Sequence, residues 1–282
     1  MALPVFIIVL IAALFHATWN TVVKKNDDRT LFMALLVACG GMGAVVTLPF
    51  LDLPARESWP YIALSILLHN GYYLFLIAAY KYGDLSHVYP LARGSAPLIV
   101  AAVSVFIVGE QLSQLAWIAI IIMAIGIMSL SITRNGQNLR NPTAVFCALG
   151  TGIFIAGYTV TDGVGARLAG DAHSYAGWMM ALDGFPIIAY LALRRGRAIV
   201  ADCRPIWKPA LVGGLLSLAA YWAVIWAMSV APIALVAAVR ETSIIFALLF
   251  GVFFLKERLS LTQLCAIFMT LLGTVLLKLN RP

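Results

Sequence analysis

The chain alternates between long apolar stretches and short polar breaks. A helix needs roughly 20 residues to cross the hydrocarbon of a bilayer. Runs of about that length occupy 3–23, 31–51, 60–80, 86–108, 114–132, 143–163, 174–193, 210–230, 233–255 and 261–279. The longest breaks, 133–142 and 194–209, hold Arg, Asn, Gly and Pro, which interrupt helices and favour turns. The pattern predicts an all-α membrane protein of ten transmembrane helices, with no low-complexity segment or soluble domain. The opening run has no Lys or Arg ahead of its apolar core and no small-x-small cleavage pattern behind it. It is therefore expected to stay as the first helix rather than to act as a signal peptide.

The runs repeat. Displaced by 147 residues, Glu110-Gln111-Leu112-Ser113 falls on Glu257-Arg258-Leu259-Ser260, Gly126 on Gly273 and Arg93 on Arg240. Displaced by 139, Phe15-His16-Ala17-Thr18-Trp19-Asn20 falls on Phe154-Ile155-Ala156-Gly157-Tyr158-Thr159. Displaced by 148, Leu67-Leu68 and Tyr73 fall on Leu215-Leu216 and Tyr221. Matches in the same order indicate duplication, with repeats at 1–132 and 143–282. Five spans per copy is an odd number, so the second copy enters from the opposite side. The expected architecture is a pair of inverted five-helix repeats (5+5), an arrangement found in secondary transporters.

Composition agrees with a bilayer. The chain is 62% apolar and 11% charged, whereas soluble domains carry roughly 25% charged residues. Its net charge of +7 is spread over loops between apolar runs, which points to loops on one side of a membrane rather than to nucleic acid. The four cysteines, Cys39, Cys147, Cys203 and Cys265, form no CxxC pair and have no histidine cluster beside them. They read as free hydrophobic side chains, and no metal or cofactor is expected.

Two segments carry a family resemblance. Phe254-Leu255-Lys256-Glu257-Arg258-Leu259-Ser260-Leu261-Thr262-Gln263 with Gly273 resembles the end of an EamA domain, and Val108-Gly109-Glu110-Gln111-Leu112-Ser113 with Gly126 resembles the same motif in the first half. EamA proteins belong to the drug/metabolite transporter superfamily. The resemblance covers the whole chain as two EamA units and implies a 5+5 helix fold that exports or takes up small metabolites. Pro97 precedes the first motif, with Ile244 at the matching place in the second.

Charges inside the spans are the sharpest functional signal, because one at a helix centre costs roughly 2.5–3.5 kcal/mol on insertion scales. Arg93 and Arg240 lie about 10 Å in from opposite faces at 1.5 Å per residue. Both suit a carboxylate, phosphate or phosphonate; the structural alternative is pairing with Glu241 or Asp183. Those two carboxylates are the proton-coupling candidates, Glu241 ahead of Asp183, with Asp162 weaker near a helix end. Glu110 and Glu257 sit at span ends and are expected to anchor helix termini. His16 with Asn20, His69 with Tyr73, Tyr158 with Asp162 and Trp222 with Trp226 share helix faces at i,i+4. From these, His16, Asn20, His69, Tyr73, Tyr158 and Trp222 join the arginines as candidate substrate ligands. His87 opens a span and is expected at the interface. Pro90, Pro97 and Pro186 are expected to bend or break their helices.

The leading function is secondary transport of small polar metabolites, amino acids or other anionic or zwitterionic solutes, by alternating access across the cytoplasmic membrane. The expected partners are a small-molecule substrate and membrane lipid, with the chain a monomer or homodimer. No Walker A motif supports ATP-driven transport. The alternative is a flippase for a lipid-linked phosphate head group. An integral-membrane enzyme ranks third, since the sequence has no HExxH or GxSxG and so no catalytic residues to nominate. Loops opposite the termini hold thirteen Lys and Arg against four on the terminal side, which places both termini away from the cytoplasm.

Overall fold

The computed structural model describes residues 1–24, 28–82, 85–131, 141–196, 198–256 and 259–279. These fold as α1 (Leu3–Lys24), α2 (Arg29–Thr47), α3 (Trp59–Tyr82), α4 (Leu85–Phe106), α5 (Gln114–Ser129), α6 (Pro142–Leu168), α7 (Ala172–Arg195), α8 (Ala198–Cys203), α9 (Trp207–Val230), α10 (Ile233–Arg240), α11 (Ser243–Leu255) and α12 (Leu261–Leu279). Two single 3-10 turns, Leu48–Phe50 and Arg56–Ser58, lie between α2 and α3, and no strand occurs among the described residues. Glu257 lies outside them, as does the side chain of His87.

Polar residues in the breaks start the helices. Asp28 accepts from Leu31 N, Ser113 from Ala116 N, Asn141 from Thr143 N and Asp171 from Ser174 N. Each satisfies a backbone donor that the first turn leaves without an intrahelical partner. Among the described residues, eight helices are long and apolar enough to cross a membrane, α10 and α11 counting as one. The two other expected spans are helical as well: α3 has 24 residues and carries His69, Asn70 and several tyrosines, and α5 has 16.

The ninth expected span is not a continuous helix. It breaks at Glu241-Thr242, where Glu241 N and Thr242 N bond back to Ala238 O and Val239 O. Thr242 Oγ1 also donates to Val239 O at 2.7 Å. These three-residue closures tighten the turn and end α10. The prolines behave otherwise: Pro90 and Pro97 lie inside α4 and Pro186 inside α7, each of which continues through them.

The connections gather on two faces. Lys278 Nζ lies 5.5 Å from the Phe6 ring, so both ends of the described chain share one face, called here the terminal face. Ala55 N bonds Ala169 O on that face, linking the α2–α3 and α6–α7 connections. On the opposite face Arg195 bridges Asp28 and Asp202, and Asn141 donates to Tyr82 O. Outward-facing apolar side chains are exposed, among them Leu67, Ile153, Val212 and Phe268, as a surface in contact with lipid requires.

Small residues set two close crossings. Gly41 of α2 meets Gly184 of α7 so closely that a Cβ on Gly41 would stand 3.2 Å from Gly184 Cα, and one on Gly184 would stand 3.3 Å from Gly41 Cα. Gly126 of α5 lies against Ala266 and Met269 of α12, while Gly273 lies against Ala119 and Met123. In both pairs residue numbers rise on one helix as they fall on the other, so α2 with α7 and α5 with α12 run antiparallel. Such approach is how helices gain packing energy where lipid supplies no hydrophobic drive.

Candidate functional site

A cavity of about 110 Å³ lies among α1, α2, α3, α4, α6, α7, α9 and α10, and neither α5 nor α12 lines it. The segments of α1, α2 and α4 that line it lie toward the opposite face, and α9 contributes a stretch of wall from Gly214 to Val224. Toward the terminal face it gives way to a packed core that includes Ala166, Tyr175, Met228, Ile233 and Val236.

Arg93, Arg240, His16, Asn20, His69, Tyr73, Tyr158 and Asp183 all line this cavity. Trp222 does not; its indole donates to His173 Nδ1 at 2.9 Å, on the side of α9 that turns away. Its neighbour Tyr221 is the lining residue. The repeat pointed there, since Tyr221 is the mate of Tyr73, while the i,i+4 pattern pointed one residue too far. Trp19, the repeat mate of Tyr158, also lines the cavity, as do Tyr72 and Tyr89.

The two arginines stand in different company. Arg93 is 5% exposed; its Nη2 lies 2.9 Å from Glu241 and donates to Ser243 Oγ at 3.2 Å. Arg240 is 4% exposed, its Nη2 lies 3.9 Å from the other Glu241 oxygen, and its Nε has no hydrogen-bond partner. Glu241 is 1% exposed and does not line the cavity. Two guanidinium groups thus share one carboxylate, and the surplus positive charge belongs to Arg240. The helix break lets Arg240 and Glu241 point differently although they adjoin in sequence.

Aromatic rings form one wall. His69 stacks on Tyr158 at 4.0 Å and meets Tyr221 edge-on at 5.5 Å, while Tyr72 meets Tyr158 edge-on at 5.9 Å. His69 Nδ1 lies 3.0 Å from the Ser65 carbonyl and 3.2 Å from the Ser65 hydroxyl, which fix the ring on its own helix. His16 packs edge-on to Trp19 at 4.9 Å, and Asn20 donates to His16 O at 2.8 Å. Four polar atoms in this chamber have no hydrogen-bond partner: His16 Nε2, Trp19 Nε1, Asp183 Oδ1 and Arg240 Nε.

Behind the wall, Asp162 is fully buried in the last third of α6, toward the helix end as expected from the sequence. The Tyr175 hydroxyl donates to its Oδ1 at 3.0 Å and the Tyr221 hydroxyl to its Oδ2. Among the described residues no cluster of His, Cys, Asp and Glu could hold a metal ion.

A bundle of apolar helices around a buried, charged, aromatic-lined chamber is the construction of a membrane transporter. Comparison with known proteins makes this specific: the sequence model of the EamA-like transporter family matches residues 3–132 and again 142–279. The chain belongs to that family, within the drug/metabolite transporter superfamily. It is similar to a Sinorhizobium sp. protein described as an uncharacterized transporter in the cobO 3' region, with 32% identity over 111 residues, 38% of this chain and 78% of the relative. One solved structure, described only as the crystal structure of a protein, matches with a TM-score of 0.77 over 98% of each chain at 16% identity. At that identity the likeness is one of fold.

Proposed function

We propose that the chain is a secondary transporter that moves small zwitterionic or anionic metabolites across the cytoplasmic membrane by alternating access, using two inverted five-helix halves. The helix contacts support the inverted repeat. Exchange α1 with α6, α2 with α7, α3 with α9, α4 with α10 and α11, and α5 with α12. The α3–α6 contact then becomes α9–α1, α4–α6 becomes α10–α1 and α11–α1, α2–α9 becomes α7–α3, and α4–α5 becomes α11–α12. All of these contacts occur, and α2–α7 and α5–α12 map onto themselves. The antiparallel run of the two self-mapping pairs favours inversion over a parallel repeat. In this arrangement α3 and α5 also cross the bilayer; α5 extends about 24 Å at 1.5 Å per residue.

The four unpartnered polar atoms carry the substrate reading. Leaving one such group buried costs roughly 1–3 kcal/mol, so several facing one chamber point to a polar ligand. Arg240 Nε and Trp19 Nε1 donate only, and Asp183 as a carboxylate accepts only. A fitting ligand brings an anionic group to Arg240 and Trp19 and a hydrogen-bond-donating, cationic group to Asp183. Amino acids have that form. A flippase for a lipid-linked phosphate would be better served by a lateral apolar cleft than by these polar and aromatic walls. Asp183 becomes the better proton carrier, because Glu241 is held against Arg93 whereas Asp183 Oδ1 is bare. A proton and the ligand's cationic group would then compete for Asp183.

Uptake into proteoliposomes of amino acids, phosphonates and sugar phosphates, with and without a pH gradient, tests this. Zwitterions are expected to move fastest, and Asp183→Asn to remove their advantage over simple anions along with the pH dependence. Equal rates for zwitterions and their deaminated analogues would reject the zwitterion assignment. The surplus of Lys and Arg opposite the termini supports a cytoplasmic opposite face. A C-terminal reporter should accordingly give active phosphatase and no green fluorescence; the reverse pattern would invert the orientation.

A further inference from the structure

On the terminal face, one carboxylate joins three segments that are distant in sequence. Glu110 lies between α4 and α5. Its Oε1 lies 2.6 Å from Arg167 Nη2, at the end of α6, and accepts from Ile233 N at 2.8 Å; its Oε2 accepts from Ala234 N at 3.4 Å. Glu110 therefore caps the first turn of α10, where a negative charge also meets the positive end of the helix dipole. Arg167 completes the clasp by donating from Nε to Met228 O at 3.0 Å and from Nη2 to Ala231 O at 2.9 Å. The Glu110 side chain is 8% exposed.

The position of α10 gives this clasp its consequence. All eight residues of α10 are buried, and it spans about 12 Å at 1.5 Å per residue. One end is held by Glu110; the other end is Arg240, the arginine with the unpartnered Nε in the cavity. The helix stops immediately after Arg240, where the tightened turn at Glu241-Thr242 separates it from α11. Glu110 belongs to the first half, while Arg167, Met228, Ala231 and Ile233 belong to the second.

We propose that Glu110 is a positioning residue that couples Arg240 to closure of the terminal face: the Glu110–Arg167 clasp is the latch of the form open to the opposite face, and α10 is the rod that links it to the substrate. A ligand drawn onto Arg240 pulls on α10, loosens the capped end, and lets the terminal side part. The proposal rests on the alternating-access reading above, but its test needs no substrate, so a wrong substrate class and a wrong latch fail in different experiments.

The test is thiol labelling from the two faces, in a chain with Cys39, Cys147, Cys203 and Cys265 replaced by alanine. Ala227→Cys places a probe in the packed core beneath the terminal face, where Ala227 is 0% exposed. Ser217→Cys places one on the cavity wall. With Glu110→Gln, labelling at 227 from the terminal face is expected to rise about tenfold, as for a two-state equilibrium moved by one decade, while labelling at 217 from the opposite face falls. Arg167→Gln removes the other side of the clasp and should move both rates the same way, which keeps the test decisive if Glu110→Gln fails to fold. Rates that rise together at both probes, as general loosening would produce, overturn the proposal, as does no change at either.

Discussion

Among the described residues, one ion pair joins the halves of this protein at each face, and both have an N–O distance of 2.6 Å: Arg167 with Glu110, and Arg195 with Asp28. Their settings differ. Glu110 is 8% exposed and also bonds two backbone amides of α10; Asp28 is 47% exposed. An exposed pair is screened by water and salt and adds little, whereas a buried carboxylate that loses its partners keeps its desolvation cost. Equal length therefore conceals unequal strength. One face is held by a covered carboxylate seated on the first turn of α10, the other by a bridge that solvent can replace.

Breaking each tie in turn measures that difference. The largest effect is expected from Glu110→Ala, which removes an ion pair and a helix cap together. After allowance for the partly exposed Arg167, it should cost about 2 kcal/mol in thermal unfolding in detergent. A shift no larger than that of Arg195→Gln would erase the distinction between the faces. An intermediate loss is expected from Asp28→Ala, about 1 kcal/mol, because Asp28 also accepts from Leu31 N at the start of α2. Asp28→Asn retains a good cap and breaks only the pair, so it should unfold with the parent. If Asn costs as much as Ala, the bridge matters more than the cap. The smallest effect is expected from salt. At about 1 M, where screening acts over about 3 Å, the melting gap between the parent and Glu110→Ala should stay as it is at low salt. A gap that closes would mean that water reaches the clasp.

Much of this was legible in the chain. The apolar runs mark the helices because lipid leaves no other way to satisfy the backbone. Arg93 and Arg240 stand out because charge is costly there, and both line the cavity. What escaped involves contacts between distant segments or a local choice that periodicity does not encode. The break after Arg240 sits in an apolar run with neither Gly nor Pro to mark it. The Asp162 carboxylate looks peripheral until Tyr175 and Tyr221 are seen closing on it from two other helices. Glu110 was expected to anchor a helix terminus, but not one more than a hundred residues away. Trp222 shows the limit of face-matching: a helix turns about 100° per residue at 3.6 residues per turn, so a one-residue error moves a side chain out of the cavity.

The glycine crossing of α2 and α7 has a genetic consequence. Where a large side chain faces a small one, growth on one side can be offset by trimming the other. Gly41 and Gly184 face each other with no side chain on either, so nothing remains to trim. A selection for revertants of Gly184→Leu should return true reversions or changes that move whole helices, and no suppressor at position 41.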